Sequence, residues 1–211
     1  MKRKGILVVV SGFSGAGKGT LMKQLVRTYE EYALSVSMTT RAPRPGETDG
    51  REYFFVSREE FERKIADGGL IEHASYCGNY YGTPAEYVDK QLAAGRDVIL
   101  EIEIQGALTI KERFPSALLL FVTPPSIKEL RRRLSGRGTE TQEVIDARLR
   151  RAAEEAEGIE AYDYLVVNDD LDACVGQMHM LIQGAHSAPV RQEAFIDHIR
   201  SELEELVKGE N

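Results

Sequence analysis

Runs rich in apolar and β-branched residues recur along the chain at Ile6–Val10 (ILVVV), Asp97–Ile102 (DVILEI), Ala117–Val122 (ALLLFV) and Tyr164–Val167 (YLVV). Such runs lack polar alternation, as expected of strands buried on both faces. Helical segments fall between them. Ser126-Ile127-Lys128-Glu129 predicts a capping box that opens one helix. Thr83-Pro84-Ala85-Glu86 predicts another, with Pro84 at the first helical position and Gly95 just past the end. A third, long helix is expected from Thr141 to about Ala161. Strand and helix in alternation predict an α/β fold with a parallel sheet and crossover helices.

Residues 37–87 break the alternation. A loop rich in Pro, Gly and Arg (TTRAPRPGETDGREY) is followed by short strands, YFFV and LIEHASY, around a helix at Ser57–Asp67. This reads as an insertion with its own small antiparallel sheet. At the other end, Ala173–Gln183 reads as the last core helix and Gly184–Pro189 as a linker. In Val190–Val207, the residues Phe195, Ile199, Leu203 and Leu206 share one face at helical spacing. That helix is expected to pack on its own domain; a dimer contact or a partner-binding helix are the alternatives.

Composition narrows the class. The chain has 211 residues, 42% hydrophobic and 29% charged, which suits a soluble globular fold. A net charge of −7 argues against nucleic acid as a partner. No apolar run reaches the ~18 residues of a membrane span. The basic start, Met1-Lys2-Arg3-Lys4, precedes only the short run Ile6–Val10, so targeting is not expected and the location expected is cytoplasmic. Cys77 and Cys174 have no metal-binding spacing and are expected to be reduced thiols.

The strongest chemical signal is GFSGAGKGT, Gly12 to Thr20. Gly12, four residues, Gly17 and Lys18 follow a buried strand and open a helix, the setting a phosphate-binding loop requires. Backbone N–H groups of Gly12, Ser14, Gly15, Ala16 and Gly17 can cradle phosphate oxygens, and Lys18 adds a full charge. Gly19 stands where a Ser or Thr is usual; Thr20 supplies a hydroxyl one residue later. GKGT resembles the form in adenylate kinases and related nucleoside monophosphate kinases. Mg²⁺ binds largely through water and substrate phosphates. Metal dependence is therefore expected, with Mg²⁺ carried by ATP and no protein ligand set.

Five further stretches come in order: SMTTRAPRPGETDGREYFFV, LIEHASYCGNYYGTP, LEIEIQG, RLSGRGTE and VVNDDL. Together with the loop they resemble guanylate kinase, over roughly Gly5 to Leu171. The resemblance implies a P-loop kinase core, a five-stranded parallel sheet flanked by helices, with an inserted small α+β GMP-binding subdomain and a mobile lid. The core is expected at 1–36 and 88–184, with the lid at about 134–148, the insertion at 37–87 and a C-terminal helical extension at 185–211. The implied reaction moves the γ-phosphoryl of ATP to GMP.

The residues support that chemistry. Arg41 and Arg44, with the hydroxyls of Tyr53 and Tyr81, can hold a monophosphate dianion. Glu72 lies in an otherwise apolar strand, where an unpaired carboxylate is costly. Guanine presents adjacent N1–H and N2–H₂ donors that one carboxylate can accept. Ser37 and Thr83 match positions that contact the base in the family, and Glu103 stands where the family has Asp, one methylene longer and on the GMP or metal side of the cleft. By the resemblance, Arg133, Arg137 and Arg148 are the cations that close over the γ-phosphate, and Asn168 and Asp169 lie at the adenine pocket. Arg131, Arg132, Arg150 and Arg151 are expected to be solvated helix charges, and the histidines show no catalytic pairing. The substrates implied are ATP and GMP, with dGMP, and the choice of monomer or homodimer, left open. The alternatives are another nucleoside monophosphate kinase, which Glu72 argues against, and a non-catalytic interaction module of the same fold.

Overall fold

The computed structural model describes residues 4–76, 78–136 and 141–209. In chain order the elements run β1 (Leu7–Gly12), α1 (Lys18–Thr28), β2 (Tyr32–Leu34), β3 (Met38–Thr39), β4 (Phe54–Phe55), α2 (Arg58–Ala66), β5 (Leu70–Tyr76) and β6 (Asn79–Pro84). Then come α3 (Ala85–Ala93), β7 (Asp97–Glu101), α4 (Ile104–Arg113), β8 (Leu118–Thr123), α5 (Ile127–Ser135), α6 (Gln142–Ala156), β9 (Tyr164–Val167), α7 (Leu171–Ala185) and α8 (Glu193–Gly209).

Five strands form a parallel sheet in the order β2-β7-β1-β8-β9. Central β1 pairs with β7 on one side and β8 on the other, and Val8, Val9 and Val10 are wholly buried. Its residues divide by alternation. Val8 and Val10 join the core under α1 and α7 with Leu21, Leu25 and Met178, while Leu7 and Val9 join the core under α3 and α4 with Val88, Leu100 and Ile110. Burying each such side chain stabilises the fold by about 1.5–3 kcal/mol. Period-two alternation therefore exists, but both faces are apolar, so the sequence reads as a continuous run.

The insertion has its own sheet, β4-β3-β6-β5, and its own small core of Met38, Phe61 and Leu70. It is mixed rather than antiparallel: β3 and β4 run parallel, while β6 is antiparallel to both β3 and β5. A long loop separates β3 from β4, so no hairpin forces them to oppose.

Other expectations shift locally. Pro84 is the cap before α3 rather than its first residue, because Thr83 and Pro84 still belong to β6. The long helix stops at Ala156, and a single 3₁₀ turn covers Ile159–Ala161. Strand β2 carried no apolar run long enough to be noticed. No helix among the described residues is long and apolar enough to cross a membrane.

At the lower edge of the sheet Asp97 is wholly buried. Its Oδ1 accepts the Ile6 N–H at 2.8 Å and lies 2.9 Å from His186 Nε2. This pins the end of α7 beneath the strands and directs the chain into α8. The apolar face of α8 does not pack on its own domain: Phe195, Leu203 and Leu206 are 53%, 57% and 62% exposed. The turn at Pro189–Arg191 sends the helix away from the core it was expected to cover.

Candidate active site

The phosphate loop joins the C-terminal end of β1 to the N-terminus of α1. Gly17 has φ 93°, and a Cβ there would fall 2.5 Å from Asn168 Nδ2. That contact is part of a brace. Asn168, buried at the end of β9, donates through Nδ2 to the Ala16 carbonyl at 2.8 Å. Arg133 donates through Nη1 to the same carbonyl at 3.3 Å and through Nη2 to the Asn168 carbonyl at 2.9 Å. Its Nε meets Glu129 Oε1 at 2.7 Å. The sequence reading put Arg133 over the γ-phosphate; here Nη1 and Nη2 tie the loop to Asn168 and Nε rests on Glu129.

Glu129 explains why. Ser126 caps α5 by accepting the Glu129 N–H at 3.1 Å, which is half of the expected capping box. The Glu129 carboxylate does not return the bond but turns to Arg132 and Arg133, and their hydrogen bonds hold its pKa down to about 2.

Lys18 Nζ donates to the Gly12 carbonyl at 2.7 Å and the Phe13 carbonyl at 3.3 Å. Ser14 Oγ accepts from Arg148 Nη1 at 2.8 Å, which brings α6 to the loop. Arg137, and the lid segment from 137 to 140, lie outside the described residues. Gly15 lines the loop, Thr20 is exposed in the first turn of α1, and Asp169 is exposed just beyond Asn168.

Beside the loop stands a carboxylate that sequence reasoning passed over. Glu101 ends β7, the neighbour of β1 in the sheet. Its Oε2 lies 3.8 Å from the point a Cβ on Gly19 would occupy. Glu101 borders solvent, yet desolvation pushes its carboxyl above the usual range, with Lys18 opposing. The signal was present: an acid closing an apolar strand adjacent to the loop strand. Among the described residues no group of three His, Cys, Asp or Glu side chains is placed to hold a metal. One carboxylate next to an open position at Gly19 suits Mg²⁺ held through phosphates and water.

Glu103, two residues on, is turned the other way. Its Oε2 accepts from Arg151 Nη2 on α6 at 2.8 Å, with both side chains largely exposed. Arg151, expected to be solvated, thus has a partner on the β7–α4 junction.

The insertion supplies the second site. Glu72, on β5, accepts from Thr83 Oγ1 at 2.7 Å, and burial raises its pKa against that hydrogen bond. Its other oxygen lies 3.9 Å from where a Cβ on Gly106 would stand, in the first turn of α4. Arg41 sits against the faces of Tyr53 and Phe55 at 5.4 and 5.8 Å, and the Tyr53 and Tyr81 rings meet at 6.1 Å. Arg44 is exposed on the same loop, and Ser37 is half-buried, its carbonyl accepting the Phe54 N–H at 2.9 Å. Here too one residue was missed: the Glu47 carboxylate accepts from Arg41 Nη2 and from the Arg44 backbone N–H at 2.7 Å.

The family model for guanylate kinase matches residues 4–185. The chain belongs to the guanylate kinase family. The guanylate kinase of Desulfitobacterium hafniense is 50% identical over 192 residues, 91% of this chain and 96% of the relative. That of Latilactobacillus sakei is 49% identical over 187 residues, covering 88% and 92%. Among solved structures, guanylate kinase from Anaplasma phagocytophilum superposes with a TM-score of 0.70 at 35% identity, covering 90% of each chain.

Proposed function

We infer that this chain transfers the γ-phosphoryl group of ATP to GMP, giving ADP and GDP, above the C-terminal ends of β1 and β7. Family membership supports the reaction. The observation that carries the location is the shared β7–α4 junction. Glu101 meets the phosphate loop at one end of it, and Gly106 approaches the Glu72 carboxylate at the other.

In this reading the loop amides and Lys18 hold the ATP phosphates, and the ammonium exchanges its loop carbonyls for phosphate oxygens. Arg41, Arg44, Tyr53 and Tyr81 hold the GMP phosphate. Glu72, oriented by Thr83, accepts both guanine donors. An oxygen of the GMP phosphate attacks the γ-phosphorus, a new P–O bond forms, and the bond to the β,γ-bridging oxygen breaks. The phosphate is itself the nucleophile, so the histidines are not needed. Little covalent work falls to the protein; positioning and charge stabilisation dominate. Arg148 of α6 is the cation that meets the transferring group in this reading, and its hydrogen bond to Ser14 of the phosphate loop supports it. Arg133 and Asn168 act one step back, by fixing the loop. Mg²⁺, when bound with ATP, would neutralise phosphate charge, and Glu101 with the open position at Gly19 is where this chain would meet its water shell.

The non-catalytic alternative draws no support here, since Lys18 and Arg148 both stand at the phosphate loop. The deciding experiment is ADP release with ATP–Mg²⁺ and each nucleoside monophosphate in turn. GMP should be the preferred acceptor, with activity lost in EDTA and restored by Mg²⁺. Equal turnover of AMP would overturn the substrate; metal-independent turnover would overturn the role given to Mg²⁺.

A further inference from the structure

Gly106 stands in the first turn of α4, and nothing in the local fold demands a glycine there. It is not among the glycines with positive φ, so other residues can adopt its backbone. A Cβ on it would lie 3.4 Å from Ile102 Cδ1 and 3.9 Å from both Ile102 Cβ and Glu72 Oε2, which is ordinary van der Waals contact. The fold therefore has room for a methyl group. Alanine is also the better helix former, because glycine loses more backbone freedom on folding. Backbone and packing both permit a larger residue, yet the space is left empty.

That space lies on one side of a functional carboxylate. The two oxygens of Glu72 differ: Oε1 accepts from Thr83 Oγ1 at 2.7 Å, and Oε2 is the oxygen facing Gly106. Building on the reading of Glu72 as the guanine acceptor, we propose that Gly106 determines specificity. Its missing side chain keeps the approach to Oε2 open for the 2-amino group of the purine. The ring N1–H is a single donor and can share Oε1 with the Thr83 hydroxyl. The amino group projects further from the ring and carries a second hydrogen, so it takes the oxygen with open space beside it. A donor nitrogen stands about 2.9 Å from its acceptor. A methyl group 3.9 Å from the same oxygen crowds a donor arriving from that side. Alanine would then exclude the amino group and leave the carboxylate, its Thr83 hydrogen bond and the phosphate-holding residues in place. The group selected is a 2-amino-6-oxopurine, against the 6-oxopurine of IMP, which keeps N1–H but has only hydrogen at C2.

Titration calorimetry of GMP and IMP on the wild type, Gly106→Ala and Gly176→Ala tests this. Gly176 lies in α7 with nothing within 4 Å of an added Cβ, so it reads the plain effect of alanine in a helix. Both variants should unfold at or above the wild-type temperature. Gly106→Ala should weaken GMP about 10-fold or more, the scale of one charge-assisted hydrogen bond, with IMP binding and the KM for ATP little changed. Gly176→Ala should leave all three constants in place. Unchanged GMP affinity in Gly106→Ala overturns the proposal. Equal losses for GMP and IMP overturn the assignment of the amino group to Oε2. A lower unfolding temperature with a raised KM for ATP would make Gly106 a packing residue and overturn it as well. Failure of the underlying reading looks different: the wild type would bind IMP or AMP as tightly as GMP before any substitution, and the proposal would fall with it.

Discussion

Arg41 and Glu47 form one unit: a single guanidinium nitrogen, Nη2, donates to both carboxylate oxygens, at 2.9 and 3.0 Å. The carboxylate is anchored by the main chain. The Glu47 N–H donates to the Arg44 carbonyl at 3.0 Å while the Arg44 N–H donates to Glu47 Oε2 at 2.7 Å. Glu47 thereby closes the Arg44–Glu47 turn and aims Arg41 toward the tyrosines. Arg41's hydrogen bond is the first reason its carboxyl sits below the usual range.

Glu47→Gln should accordingly raise the KM for GMP about 10-fold, the scale of one charge-assisted hydrogen bond, and leave the KM for ATP in place. Steady-state kinetics with each substrate varied will read this. A fall in KM would instead mark Glu47 as a competitor for the GMP phosphate.

Lys18→Met removes the charge that must follow the migrating phosphoryl group. A drop of about 10²–10³ in kcat is expected, as for loss of one preorganised donor, with GMP binding by titration calorimetry nearly intact. Near-normal turnover would take the loop out of the mechanism.

The reading of Glu72 as the acceptor of the guanine donors predicts both a substrate preference and a pH limit. Sites built around a donor–acceptor pair reject the wrong partner by about 10⁴ or more, so kcat/KM should favour GMP over AMP by that order. Glu72→Gln should cut GMP efficiency at least about 10-fold. Burial raises the folded pKa of Glu72, so the carboxylate form is available above that pKa and lost as pH falls through it. The acid limb of kcat/KM for GMP should therefore begin above the ordinary Glu value of about 4.3. Ionisation of the GMP phosphate contributes equally in both proteins, so the difference between wild-type and Glu72→Gln profiles isolates this group. Superimposable profiles would remove Glu72 as the reader.

Asn168→Ala should free the Ala16 carbonyl from its closest partner and loosen the loop. The expected cost is about 1–3 kcal/mol in thermal unfolding, with a higher KM for ATP and an unchanged KM for GMP. Unchanged stability and ATP kinetics would show that Arg133 alone suffices as the brace.

Glu103→Ala is the contrasting case. Its pair with Arg151 is exposed on both sides, so a change within about 1 kcal/mol is expected in unfolding experiments. A larger loss would assign that pair a structural role its exposure does not suggest.

Much of this molecule was legible in the chain itself. Ile6–Val10 reads as a doubly buried strand because both faces of the central strand need apolar side chains. GFSGAGKGT reads as a phosphate loop because few residues besides Gly tolerate the backbone its turn demands, Gly17 at φ 93° being one such place. Glu72 stood out as a carboxylate in an apolar strand, where only a partner can compensate its burial. These are local constraints, set by one residue and its immediate neighbours.

The tertiary structure decided what depends on partners distant in sequence. Arg133 reads as a lid cation; only the fold shows that β9 brings the Asn168 carbonyl within 2.9 Å of it, 35 residues away. Glu103 reads as a cleft residue, and only the fold sets Arg151 of α6 beside it; Glu101 reads as a strand end, and only the fold sets Gly19 at the start of α1 beside it. The α8 stripe is evident from spacing, but spacing says only that an apolar face exists. Whether its own core covers that face depends on the path of the chain after His186, which the buried pair with Asp97 directs. Hydrogen bonds and packing between elements are satisfied in three dimensions, and a linear pattern records the need for a partner without recording which one is near.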